Sequence, residues 1–326
     1  MKLPSLVEPR RQRPPGSLGR LLGKQGLQAR SGSRARQMNA AFTFLLPGVF
    51  LFLVFNIYPL LKALQISFYD WSLMPGTPSE FVGLANYLRA VRDPVVSLAF
   101  RNTVLYTAIT VPGQIVLAMA AALLLNSLGR LKVLLRTLYY LPVITSWVIV
   151  SLLFRYMFQS PNGFINYLLV DLLHLAEAPI GWLQSASTAM IPVWLLGIWK
   201  GIGWSMVIFL AALQTIPLEL YEAAAIDGAG GWEKVRHITL PLIRPTLVFV
   251  LVMLMIGGLN VFLPVALVTN GGPQQQTEVV LTYMYHQAFD FLEFGYGSAL
   301  AFMMAVFIVS LSFIQIRFFR RPEEVY

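Results

Sequence analysis

The chain has 326 residues, 57% of them hydrophobic and 12% charged, with a formal net charge of +9 and no cysteine. A soluble domain carries about 25% charged residues, so a water-soluble fold of this composition would have to expose large apolar areas. Disulfide scaffolds and thiolate metal sites are excluded, and lipid is the solvent that suits what remains.

Residues 1–39 hold nine of the 24 lysines and arginines in a Pro-, Gly-, Ser- and Arg-rich run without an apolar core of signal-peptide length. That composition predicts a basic, flexible tail. The charge excess is therefore local, suited to anionic headgroups and to fixing orientation, and no nucleic-acid partner is expected. "GRLLGK" at Gly19–Lys24 is one residue short of a phosphate loop, and Gln25 stands where Ser or Thr would hold magnesium. Any ATP would have to be bound by another chain.

Six apolar stretches follow, at about 41–61, 103–125, 138–158, 189–213, 246–268 and 298–316. Each approaches the ~20 residues that cross ~30 Å of hydrocarbon. Pro47, Pro59, Pro112, Pro142, Pro192 and Pro264 lie in or near their ends, which lipid-embedded helices tolerate better than soluble ones. The expectation is an all-α integral membrane protein with six transmembrane helices. With the N-terminus inside, the cytoplasmic pieces hold the tail, Arg130, Lys132, Arg136, Lys234, Arg236, Arg244, Arg317, Arg320 and Arg321. The opposite loops hold Lys62, Arg89, Arg92 and Arg101, and none in 159–188 or 270–297. This asymmetry predicts that both termini are cytoplasmic. The three outer loops are rich in Trp, Tyr and amphipathic pattern, which suits short helices at headgroup level, either as surface packing or as a docking surface. The chain thus divides into the tail (1–39), a first helix with its external loop (40–97), a five-helix core (98–317) and a C-terminal tail (318–326).

A polar island, "EAAAIDGAGGWEKVRHITLPL", interrupts this pattern inside the segment of about 214–244. Good helix formers follow Pro217, "GAGG" must turn the chain, and "WEKVRHI" starts a second short helix before Pro241. A cytoplasmic helix–turn–helix hairpin results, longer than the two to eight residues that usually join neighbouring helices.

Glu222-Ala223-Ala224, three residues, Gly228, nine residues and Ile238-x-Leu240-Pro241 resemble the EAA–G–I-LP pattern of the membrane subunits of binding-protein-dependent ABC importers, with every position filled. "NIYPLLKALQISFYDW", "FVGLANY", "LQTIPLELYEAAAIDGA" and "LVTNGGPQQQTEVVLTYMY" look like the sugar-importer branch, similar to the first permease subunit of maltose-type and glycerol-phosphate-type systems. The resemblance covers about residues 40–317 and fits the shorter members, which lack the large external domain of the enteric maltose subunit. It implies a type-1 ABC importer permease fold in the cell membrane of a prokaryote. It also implies a second homologous permease, two ATPase subunits carrying ATP and magnesium, and an extracytoplasmic substrate-binding protein, with no cofactor in this chain. In such proteins the EAA hairpin is the coupling helix, which assigns ATPase coupling to Glu222, Ala223, Ala224, Gly228, Ile238, Leu240 and Pro241.

A charge within a span costs about 2.5–3.5 kcal/mol on insertion scales, which singles out Lys200 in the fourth stretch. It is expected to line a substrate path, to snorkel, or to neutralise a carboxylate. Asn260 and Phe262 in the fifth stretch fall where the related maltose-type subunit holds sugar, although its Asn-rich pattern is not reproduced here. Gly257 and Gly258 suit close helix packing. His174, His237 and His286 fall in separate loops, so no metal site is expected, and no catalytic constellation is present. A self-sufficient secondary transporter would need acids within the spans. Asp70, Asp171 and Asp290 all fall in loops.

Overall fold

The computed structural model describes residues 42–72, 78–128 and 131–319. The expectations for the basic tail, for Gly19–Lys24, for Arg130 and for residues 320–326 lie outside them. The chain forms two compact units, Met1–Ala63 and Leu64–Tyr326. The described part of the first is most of helix α1 (Phe42–Ile66), which has apolar side chains such as Phe44 and Phe55 exposed.

The described residues of the second unit are mainly helical and include one antiparallel pair, β1 (Tyr69–Asp70) and β2 (Glu80–Phe81), with Tyr69 opposite Phe81. Helix α2 (Ala85–Arg92) leads into α3 (Pro94–Ser127). The Asp93 carboxylate caps α3 by accepting from the Val95 N–H at 2.8 Å, and Pro94 occupies the first turn, where its missing N–H costs nothing. Within α3 the hydroxyls of Thr103, Thr107 and Thr110 each donate to the carbonyl four residues back, at 2.8–2.9 Å, so these three hydroxyls are satisfied within the helix.

The third apolar stretch is not one rod. It forms α4 (Lys132–Ile144) and α5 (Trp147–Met157), bent by 94°, with Thr145 and Ser146 extended between them. Pro142 removes one helical donor just before the break, and the Ser146 hydroxyl caps α5 by accepting from the Val148 N–H. The short α6 (Phe164–Asn166) continues as a π turn to Leu172. Helix α7 (Met190–Leu213) is continuous and central. After it come α8 (Leu218–Ile226), α9 (Gly231–Leu242) and α10 (Arg244–Leu259), the last two meeting at 73°.

The fifth stretch also departs from a single helix: α10 stops at Leu259 and α11 covers Leu263–Val268. Pro264 has no N–H to offer the carbonyl of residue 260, and the Asn260 side chain donates back to the Ile256 carbonyl at 2.8 Å. Helix α12 (Val280–Tyr285) runs on as a π turn to Asp290, and α13 (Phe294–Phe319) ends the described chain. Short helices thus stand in all three predicted outer loops.

Among the described residues, helices α1, α3, α7 and α13 are each long and apolar enough to cross a membrane, and the bent pairs α4–α5 and α9–α10 bring the number of candidate spans there to as many as six. The core lies around α3 and α7. Ala118, Ala122 and Leu125 pack on Met206, Phe209 and Leu210 near one end, while Tyr106, Val193, Leu196, Val150 and Val265 form a second cluster. Small residues allow the approach: a Cβ on Gly258 would sit 3.0 Å from Thr107 Oγ1, whereas one on Gly257 would meet open space. Of these two glycines, Gly258 alone serves close packing.

Candidate functional site

The hairpin expected from the glycines is present. Helix α8 starts after the extended Pro217 and carries Glu219 in its first turn, where a negative charge suits the helix dipole. It ends in a Schellman motif: the Ala229 N–H donates to the Ala224 carbonyl at 2.8 Å, and the Gly228 N–H to the Ala225 carbonyl at 3.1 Å. This closure requires the left-handed φ of +81° at Gly228, which only glycine adopts without strain. Glu233 then caps α9 by accepting from the Gly230 N–H at 2.7 Å. The arms are joined by a 2.9 Å hydrogen bond between Tyr221 and the buried Thr239.

The structure divides the EAA–G–I-LP pattern by exposure. Glu222, Ala223 and Gly228 are exposed and Ala224 is half-buried. Ile238 and Leu240 are half-buried, and Leu240 packs on the core cluster of α3 and α7. Pro241 is exposed on the turn before Ile243, which is buried. One half of the pattern forms a presented surface and the other anchors it. Sequence reasoning passed over two further surface residues: Ile226 is 87% exposed and Trp232 70% exposed, on either side of the glycine turn. Large apolar side chains flanking a polar turn were the signal.

A second feature is a cavity of about 240 Å³ between α3, the α4–α5 break, α7 and α10, lined by Tyr106, Gln114, Trp147, Lys200, Trp204 and Gly257 among others. Lys200 is in that wall. Its ammonium donates to the carbonyls of Pro142 at 2.6 Å and Thr145 at 2.7 Å. Asn260 and Phe262 are not among the lining residues; Phe262 instead meets Tyr285, ring centroids 5.4 Å apart. The tryptophans, Tyr106 and Gln114 went unnoticed in the sequence because aromatic and amide residues inside an apolar stretch carry no spacing signal.

A polar cluster ties α2, α3, α12 and α13 together. The phenols of Tyr283 and Tyr296 both donate to Asp93 Oδ2 at 2.7 Å, and Arg89 pairs with Glu293 at 2.5 Å and lies 4.1 Å over the Tyr296 ring. Burial pushes the Asp93 carboxyl up, but the two phenol donors and the backbone N–H groups of Val95 and Val96 together outweigh it and hold the group below the usual carboxylate range. Nearby, Glu278 is buried, with Thr282 donating to Oε2 at 2.5 Å and His286 Nε2 3.6 Å from Oε1. Burial raises its carboxyl above the ordinary value despite both neighbours. Among the described residues no group of three or more His, Cys, Asp or Glu stands close enough to hold a metal ion.

Apolar helices of spanning length, a hairpin that presents Ala and Gly, and a cavity between the central helices describe a multi-pass membrane protein. Residues 114–323 match the model of the family described as binding-protein-dependent transport system inner membrane component. The chain belongs to that family. It is 34% identical over 276 residues to the lactose transport system permease protein LacF of Rhizobium radiobacter, covering 83% of this chain and 91% of the relative. It is also 34% identical over 281 residues to the arabinooligosaccharides transport system permease protein AraP of Bacillus subtilis, covering 85% and 88%. The sulfoquinovosyl glycerol transport system permease protein SmoG of Agrobacterium fabrum shares 34% over 284 residues, covering 87% and 91%. The fold matches a crystal structure of a bacterial ABC transporter involved in the import of the acidic polysaccharide alginate, with a TM-score of 0.79 at 23% identity, covering 90% of this chain and 100% of that one.

Proposed function

We propose that the chain is one permease of an ATP-driven carbohydrate importer, forming half of the translocation path with a second, homologous permease. In this reading six spans cross the membrane with both termini cytoplasmic, as the distribution of Lys and Arg supports. The hairpin α8–α9 seats in an ATPase subunit through Glu222, Ala223, Ala224 and Gly228, while Ile238, Leu240 and Pro241 tie it to the bundle. Two such ATPase subunits carry ATP and magnesium, and an extracytoplasmic binding protein delivers the cargo. The observation that carries the reading is the Schellman-closed turn, which leaves Ala223 and Gly228 exposed, with no atom of this chain within 4 Å of a Cβ built at Gly228.

The cavity suits a hydroxyl-rich cargo. The faces of Trp147 and Trp204 offer apolar contact, while Gln114 and the Tyr106 phenol offer hydrogen bonds, the mixture that orients small polar ligands. Lys200 borders this path, and Asn260 and Phe262 would act nearer its outer end. A strain lacking this chain, supplied with a panel of labelled mono- and oligosaccharides, tests the proposal. Uptake of at least one carbohydrate should be lost and be restored by the wild-type chain. Intact uptake of every carbohydrate, with loss of a non-carbohydrate solute, would overturn it.

A further inference from the structure

The bend between α4 and α5 leaves carbonyls without intrahelical donors at a point where hydrocarbon offers none. The Thr145 hydroxyl supplies one donor, to the Pro142 carbonyl at 2.6 Å, and further donors arrive from another helix. Lys200, 4% exposed and 58 residues from Pro142, places its ammonium 2.6 Å from the Pro142 carbonyl, 2.7 Å from the Thr145 carbonyl and 3.5 Å from Thr145 Oγ1. The ammonium also stands 4.8 Å from the centroid of the Trp147 ring, whose negative face accepts a cation. No ion pair of Lys200 exists among the described residues, so carbonyl dipoles and an aromatic face hold the charge, not a carboxylate. One turn along α7, a Cβ on Gly203 would collide with the Tyr139 carbonyl, so the backbones of α7 and α4 are in direct contact beside the break.

Helix α7 continues without interruption from Lys200 to Leu213, four residues before Pro217 and the hairpin. We infer that Lys200 is the positioning residue of a transmission joint: it pins the interrupted third span to the rod that carries the hairpin, so that hairpin displacement re-aims α5 and the Trp147 wall of the cavity. This rests on the hairpin being the ATPase-coupling element. The joint is built from hydrogen bonds to carbonyls at the helix break, a contact able to slide or break without unpacking an apolar core.

The chain has no cysteine, so within it only the introduced thiols take a spin label. Leu134→Cys on α4 and Leu153→Cys on α5, both exposed, report the distance across the bend in the complete transporter in nanodiscs, with and without ATP plus vanadate. The wild-type distance should shift with nucleotide. In Lys200→Met, which keeps length and loses every donor, the distribution should broaden and the shift should vanish. Lys200→Gln, a polar residue too short to reach both carbonyls, should behave the same way and replaces Met if that variant assembles poorly. An assembled Met or Gln variant with the wild-type shift overturns the joint. A wild-type distance that ignores nucleotide, together with an Ile226→Cys label whose mobility is unchanged by the ATPase, would instead overturn the coupling reading beneath it.

Discussion

Tyr221 and Thr239 stand on opposite arms of the hairpin and share a hydrogen bond of 2.9 Å. Thr239 is buried and its hydroxyl also reaches the Lys234 carbonyl at 3.3 Å. The bond links the two arms of the hairpin. Under the proposed coupling, a force applied at the glycine turn would then pass to Leu240 and Ile243, which pack on the core cluster of α3 and α7.

Tyr221→Phe removes this bond and leaves the ring in place. The expected cost is about 1 kcal/mol, the usual net worth of one neutral hydrogen bond. Hydrogen exchange should rise at the amides of α8 and remain unchanged in α3. Equal exchange in both proteins would show that the arms are held by packing alone.

Gly228→Val combines two effects that can be separated. A Cβ at Gly228 meets no atom of this chain within 4 Å, so intramolecular crowding is absent and the backbone strain at φ +81° is about 1–2 kcal/mol. Asn tolerates that conformation better than other residues. Gly228→Asn should therefore retain near-wild-type thermal stability while still losing ATP-driven transport, because the added side chain meets the partner. Full transport by Gly228→Asn would reduce the role of this glycine to its own turn.

Asp93→Asn weakens the cluster that joins α3 to α12 and α13. The loss expected is about 1–2 kcal/mol, less than for a fully buried charge-assisted pair because Asp93 is only half-buried. A carboxyl held below its unfolded value of about 3.9 contributes stability above that pH and loses it as pH falls through the lower folded value. The acid-side decline in melting temperature below about pH 4 should thus be shallower in Asp93→Asn than in wild type.

Glu278 has the opposite sign. Its folded carboxyl is raised, so the folded state holds the proton more tightly and stability falls as pH climbs above the unfolded value of about 4.3. Glu278→Gln keeps an oxygen for the Thr282 hydroxyl. Its melting temperature should match wild type near pH 4 and exceed it at pH 8; a lower value at pH 8 would mean that the ion pair with His286 outweighs burial.

The apolar stretches and the hairpin were legible because length, apolarity and the four-residue GAGG run act locally. The break at Thr145–Ser146 was not. Pro112 lies inside α3 without interrupting it, while Pro142 precedes a 94° bend. The two prolines differ in their surroundings: only at the second does a distant ammonium, Lys200, supply donors for freed carbonyls. The Asp93 cluster was hidden for the same reason, since Tyr283 and Tyr296 lie 190 and 203 residues away. Lys200 stood out as a charge in a span, but its partners are backbone atoms, which no side-chain pattern marks.

The central claim is that the exposed Ala223–Gly228 surface is covered by a separate ATPase, and the rate of maleimide labelling at Ala223→Cys tests it most directly. In the purified chain the thiol should react freely. In the complete transporter it should be protected, with the protection altered by ATP and vanadate. Identical labelling rates with and without the ATPase subunits would contradict the claim.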